Sequence, residues 1–286
     1  MIVRLVDIDS KMPNLALMKI SAYHKAQGHG VDYYNPLIDV PDLIYASKIF
    51  DFSADYAYFP DHCEVIKGGS GYDIKSRLPQ EIEQSTKLDY SLYPNADYSI
   101  QFFSRGCIRK CPFCIVKDKE GAMHAVEPME LNPKGKHVEI FDNNFFANPD
   151  WKEAIKIIQS YKQPVNFHGV DLRLINEEQA YYLNKIKHHK QIHVAWDNPK
   201  DDLLPKLKEM VKYIKPYKIM CYVLIGYWST HEQNLYRVEK LRELKIDPFV
   251  MPYDKSDEYQ RNFARWVNHK AVFKTVSWQD YKKTRG

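Results

Sequence analysis

The chain alternates short apolar runs with longer stretches whose apolar residues recur every three or four positions. "MIVRLVDI" has a strand pattern, and "NLALMKISAYHKAQGHG" follows with Leu15, Leu17, Met18 and Ala22 at helical spacing and Gly28 and Gly30 as its stop. "VDYY" then reads as a second strand, so the chain opens β–α–β, which predicts a parallel sheet. "DLIYASKIF" and "CEVIKGGSGYD" continue as strand and turn pieces, the Gly68–Gly71 cluster being a loop. Periodicity is lost across 84–97, where a domain boundary is expected, giving domains 1–90 and 91–286.

Beyond that boundary the strand-like segments "YSIQFF", "HVEIFD", "PVNFHGV", "QIHVAWD", "KIMCYVLIG" and "DPFVMPY" alternate with helical ones. Asn148 and Pro149 suggest the cap and first position of one helix, and Thr230 with Gln233 a capping box on another. Six β–α units predict an open partial barrel or an open doubly wound sheet, and are too few for a closed eight-unit barrel. In either arrangement chemistry belongs at the C-terminal ends of the strands.

The 286 residues carry a net charge of +4, which permits an anionic partner without demanding one; nucleic acid is not indicated. Basic runs such as "KIKHHK" read as solvated helix faces. No apolar run reaches the roughly 18 residues of a membrane span, and Asp7 and Asp9 interrupt the opening where a signal peptide would stay apolar. A cytoplasmic protein is expected, with only a short tail after the sixth strand of the second domain. Its five cysteines then point to metal binding or catalysis rather than a disulfide framework.

Three of the five fall in "SRGCIRKCPFC". Pro112 and Gly106 argue against a helix there, so Cys107, Cys111 and Cys114 sit on a loop after a strand. Three thiolates suggest a metal. Zinc would need a fourth ligand, for which His124 is conceivable. An iron–sulfur cluster on three cysteines would leave one iron open to a substrate or cofactor. Cys221 lies in an apolar strand and reads as core, while Cys63 stands alone.

The Cys-x-x-x-Cys-x-Phe-Cys pattern within repeated β–α units resembles the radical S-adenosylmethionine superfamily, and Ser104-Arg105-Gly106 resembles its subgroup with an N-terminal cobalamin-binding-type domain. The resemblance covers about 98–252 well and the N-terminal part more loosely. It implies an α/β protein: a Rossmann-like parallel sheet domain, then a partial (β/α)6 barrel. Cys107, Cys111 and Cys114 would hold a 4Fe–4S cluster, with S-adenosylmethionine on the open iron, cleaved to a 5′-deoxyadenosyl radical by an electron from a flavodoxin- or ferredoxin-like donor. The substrate is not specified.

The same resemblance implies adenine contacts at Phe113 and at Ile225-Gly226, and ribose contacts at Asp197. Asp142, Asn143 and Asn144 stand where the family often has Gly-Gly-Glu near the cofactor's amino group. Arg173 could pair with the methionyl carboxylate through its fork. Period-two alternation puts His193 on the face of Asp197, and His168 lies near a strand's end; both are candidates for substrate contact or proton transfer, as well as for buried structural histidines.

Cobalamin is not favoured. The loop "DIDSKMPN" lacks the Asp-x-His-x-x-Gly pattern of a cobalt ligand, and neither His29 nor His62 supplies it. Binding without a protein ligand, through the Gly68–Gly71 loop, is the remaining way to hold it, and would keep methyl transfer as a reaction type. The domain otherwise serves as a lid and substrate wall. A regulatory module binding zinc or an iron–sulfur cluster without catalysis is the alternative of another class.

Overall fold

The computed structural model describes residues 1–283. The chain forms two compact units, Met1–Val138 and a second from Glu139 onward. Both are α/β, with parallel sheets and intervening helices. The loss of periodicity at 84–97 lies inside the first unit.

The first unit opens with β1 (Ile2–Asp7), α1 (Leu15–Ala26), β2 (Gly30–Tyr33), β3 (Leu43–Ser47) and β4 (Glu64–Gly68). The strands form one parallel sheet in the order β2-β1-β3-β4. Alternation along the strands gives it two buried faces. Val3, Leu5 and Tyr45 pack with Leu17 and Ile20 of α1, while Val6, Ile44 and Ala46 pack on the other side with Tyr34, Tyr56 and Phe59. Asn14 caps α1, accepting from the amides of Ala16 and Leu17.

Two short helical segments follow, α2 (Gln80–Glu83) and, after β5 (Tyr98–Gln101) and β6 (Ser104–Arg105), α3 (Val116–Lys119). β7 (His124–Ala125) pairs antiparallel with β6. The cysteine loop runs between β6 and α3. It is therefore followed by a single turn rather than by the full helix that a regular β–α unit would supply.

The division between units falls within β8 (His137–Ile140), the middle strand in the order β5-β8-β9, where β9 is Val165–Phe167. The second unit continues with α4 (Trp151–Ser160), α5 (Glu177–Asn184), β10 (Ile192–Ala195), α6 (Leu204–Tyr213), β11 (Ile219–Ile225), α7 (His231–Glu243), β12 (Asp247–Pro252), α8 (Glu258–Asn268), α9 (Lys270–Thr275) and α10 (Trp278–Lys283). β10, β11 and β12 form a parallel sheet, and isolated parallel bridges join Val165 to His188 and Val170 to Val194.

All six expected strands of the latter part of the chain are present. The α4 helix starts later than expected: Asn148 accepts from the Asp150 amide in a turn, and Asp150 is the residue before the helix. The Thr230–Gln233 capping box forms on α7. No closed barrel is formed among the described residues. None of their helices is long and apolar enough to cross a membrane.

Candidate functional site

The sheet β10-β11-β12 has one apolar and one mixed face. Ile192, Val194, Ile219, Cys221, Val223 and Val250 are buried on the first. His193, Tyr222 and Phe249 lie on the second, which is partly exposed. His193 and Tyr222 are 5.4 Å apart between ring centres, and Tyr222 and Phe249 are 5.7 Å apart. His168, just after β9, lies 6.0 Å from His193, and Phe141, just after β8, stacks on His168 at 4.5 Å with 12° between planes. Each strand from β8 to β12 thus contributes one ring, at or just beyond its span, to a continuous row: Phe141, His168, His193, Tyr222 and Phe249.

The chemistry of this row centres on Glu139. Its Oε2 lies 2.5 Å from His168 Nε2 and accepts from Asn166 Nδ2 at 2.8 Å. A carboxylate on Nε2 favours the proton there and leaves the lone pair on Nδ1, at the other edge of the ring. Glu139 is nearly buried, whereas the His168 side chain is 35% exposed. One end of the pair is thereby shielded and the other reaches solvent. Burial lowers the pKa of His193, with the neighbouring His168 adding to the effect, and its Nδ1 is buried without a hydrogen-bond partner.

Beyond the ends of β8 and β9, two loops are packed backbone to backbone. A Cβ at Gly169 would overlap the Asp142 carbonyl oxygen and crowd the Asn143 backbone, so only glycine fits. The Phe145 amide donates to the Gly169 carbonyl at 2.8 Å. Asp142 and Asn144 are buried, and Asn144 Nδ2 donates to Asp171 Oδ2 at 3.1 Å. The Arg173 fork is engaged inside the protein: its Nε and Nη2 donate to the two Asp171 oxygens at 2.8 and 3.1 Å, and Asp201 lies 3.6 Å from its Nη1.

A second polar centre lies at the ends of β10 and β11. Arg237 of α7, 1% exposed, donates to the carbonyls of Trp196 at 2.6 Å, Asp197 at 3.0 Å and Leu224 at 2.9 Å. Burial pushes its pKa down to about 10, against the pull of Asp197. Burial raises the pKa of Asp197, opposed by the Leu224 amide, Arg237 and Arg173. At Gly226, φ is 84°, and a side chain there would overlap the amide group of Gln260; Ile225 is fully buried.

The cysteine loop is organised differently from expectation. The Arg105 side chain and the Gly106 amide both donate to the Glu120 carboxylate, at 2.8 and 2.9 Å. Cys107 Sγ accepts from the Arg109 amide at 3.3 Å, and the Cys114 amide donates to the Cys111 carbonyl at 3.0 Å. Phe113 and the three cysteines are all partly exposed. His124 is exposed, with Nδ1 3.0 Å from the Ala122 carbonyl. Among the described residues, no three His, Cys, Asp or Glu side chains are grouped so as to hold a metal ion.

That finding overturns the radical S-adenosylmethionine assignment. The residues do not fit a 4Fe–4S cluster at Cys107, Cys111 and Cys114, and the cofactor chelated on its open iron has no such anchor here. Radical methyl transfer and the zinc- or cluster-binding module are overturned on the same ground. The physical reason is that cysteine spacing fixes how many thiols a loop carries, but not whether their side chains converge. Cys63 is partly exposed with its pKa raised by burial and by Asp42, the reverse of what activates a thiol. Cys221 is fully buried, and burial pushes its thiol up strongly.

A scan against protein-family models finds no match, and a search of curated proteins finds none either.

Of the residues singled out in the sequence, the structure brings His168 and His193 into one row. It sets Asp142, Asn143 and Asn144 against the loop before Arg173, and places Asp197 beside the Arg237 contacts. Sequence reasoning missed Glu139, Asn166, Tyr222 and Arg237. A signal existed for two of them. Glu139 stands between the apolar Val138 and Ile140 of a strand-like run, and Arg237 falls on the same helical face as Leu241.

Proposed function

We propose that the second unit binds a small, planar, polar molecule over the row of rings, and that His168 exchanges a proton with it at Nδ1. The observation that carries this reading is the 2.5 Å contact between a shielded Glu139 and a partly exposed His168. A carboxylate behind an imidazole orients the ring and fixes its tautomer, which suits a general base. Phe141 against one face of His168 restricts ring rotation, and Tyr222 and Phe249 offer stacking surface beside it. The parallel bridge from Val170, just after β9, to Val194 of β10 supports an open β8–β12 array with this row on its mixed face. All five cysteines are free, as a reducing compartment would keep them, and a cytoplasmic setting belongs to the same reading.

The test is carbethoxylation of His168 by diethyl pyrocarbonate, followed by peptide mass spectrometry on the full chain. Glu139→Gln should slow modification at pH 7, because the ring loses its orienting carboxylate. A panel of nucleobases and aromatic carboxylates should contain at least one compound that protects His168. The reading fails if Glu139→Gln reacts at the wild-type rate, or if no compound in the panel protects.

A further inference from the structure

The first unit holds a separate cavity of about 310 Å³, lined by Leu5, Val6, Asp7 and Ile8 along the end of β1, Tyr33 and Tyr34 at the end of β2, and Ala54, Asp55 and Tyr56. It lies at the C-terminal edge of a parallel sheet, where open α/β sheets commonly bind ligands. Its volume suits a small molecule.

The wall combines aromatic rings with carboxylates, and the two carboxylates differ. Asp55 is matched by a cation, with Lys67 Nζ 2.7 Å away, and it also accepts from the Tyr72 hydroxyl and the Tyr56 amide. Asp7 accepts from the Ser10 amide at 3.1 Å and the Tyr93 hydroxyl at 2.7 Å, both neutral donors. No Lys, Arg or His pairs with Asp7 among the described residues. A partly buried carboxylate held in place only by neutral groups is left without a counter-ion from its own chain.

The rings fit the same partner. Tyr34 and Tyr56 meet edge to face at 6.2 Å, and Tyr33 meets Tyr93, the residue that holds Asp7, at 6.3 Å. Aromatic faces attract cations through their quadrupole, and the aliphatic side chains of Val6 and Ile8 on the wall suit an apolar body. A metal ion would want several oxygen ligands converging, and no such group exists among the described residues. An anion would meet two carboxylates.

We propose that this cavity is a binding site for a small organic cation, an ammonium group on a compact apolar body, with Asp7 as its charge partner and Tyr33, Tyr34 and Tyr56 as its aromatic walls.

The experiment titrates the full chain, labelled at valine and isoleucine methyl groups, with n-butylammonium and with neutral n-butanol. The Val6 and Ile8 methyl resonances should shift saturably with the ammonium, with Kd about 1 mM, the scale expected of so small a ligand. The alcohol should bind at least about tenfold more weakly, since it lacks the charge. Asp7→Asn should weaken the ammonium by about ten- to hundredfold. Should that variant lose its fold, Tyr56→Ala decides, because it removes a ring and leaves the hydrogen bonds of Asp7 in place; a several-fold weakening is expected. The proposal is overturned if ammonium and alcohol bind alike, if no saturation is reached by about 50 mM, or if a folded Asp7→Asn or Tyr56→Ala binds as wild type.

Discussion

The two units finish the C-terminal ends of their parallel strands in different ways. In the first, neutral and acidic side chains make the joins around β1 and the start of α1. Asn14 Nδ2 donates to Ser47 at 2.8 Å and Ser10 at 2.9 Å, and the Asp9 carboxylate accepts from the Ile49 and Phe50 amides at 2.7 and 2.9 Å. In the second, a buried guanidinium does the work, with Arg237 tying the carbonyls of Trp196, Asp197 and Leu224 together. The protein supplies its own cation at the ends of β10 and β11. At the end of β1 it presents Asp7 without one. Similar sheet edges can therefore be made self-sufficient or left to be completed by a ligand, according to where one charge is placed.

The sharpest way to break this comparison is Arg237→Met. The substitution keeps much of the volume but strips several buried carbonyls of their donor, and should cost about 3–5 kcal/mol. Urea denaturation of the full chain measures it. A cost under about 1 kcal/mol would mean that the guanidinium is dispensable and that the two edges are alike. Arg237→Lys should fall between, because one ammonium cannot span three carbonyls held by a planar fork.

Asn14→Ala probes the other edge. It removes the cap of α1 and the bond to Ser47, and should cost about 1–2 kcal/mol by the same measurement. Equality with Arg237→Met would erase the contrast. Asn14→Asp, which keeps the cap acceptor, should recover part of the loss.

The smallest expected effect is pH dependence. His24 in the first unit and His188 and His193 in the second have pKa values lowered from 6.5, in each case mainly by burial. All are neutral in both folded and unfolded chains well above 6.5, so stability is complete there. As pH falls through 6.5, the unfolded chain takes up protons that the folded one refuses, and stability is lost until the lowered folded values are reached. Each histidine contributes a slope of at most about 1.4 kcal/mol per pH unit. With two such groups against one, the second unit should lose more protection on acidification, as read by amide hydrogen exchange at pH 7.5 and 5.5. Equal loss in both units would remove this part of the comparison.

Much of the scaffold was legible in the sequence because short-range rules govern it. Alternation located β1 to β3 and the strands from β8 to β12, and Thr230 with Gln233 announced the α7 cap. The site was legible in fragments. His168 and His193 stood out by residue type, but Glu139, the partner of His168, sits 29 residues before it, and only strand adjacency brings the two together. Arg173 shows the limit from the other side. Its residue type suggested a carboxylate partner, and it has one in Asp171, two positions away, so the guanidinium is held by its own chain. The cysteine loop shows it most clearly. Its path is set by the Arg105–Glu120 pair and by backbone contacts, neither of which follows from thiol spacing.

Gly169 carries a consequence for how this chain can vary. The space a β-carbon would need is occupied by the main chain of Asp142 and Asn143, which no rotamer change can clear. Every first- or second-base change in a glycine codon yields either a residue bearing that carbon or a stop. Drift at this codon is therefore confined to its third base, even though nothing about the glycine is chemically reactive. A saturation library over residues 160–180, sorted for folded protein, should be depleted of every replacement at 169. The neighbouring Arg173 should accept several, since its own side chain is 35% exposed and no backbone fills its place.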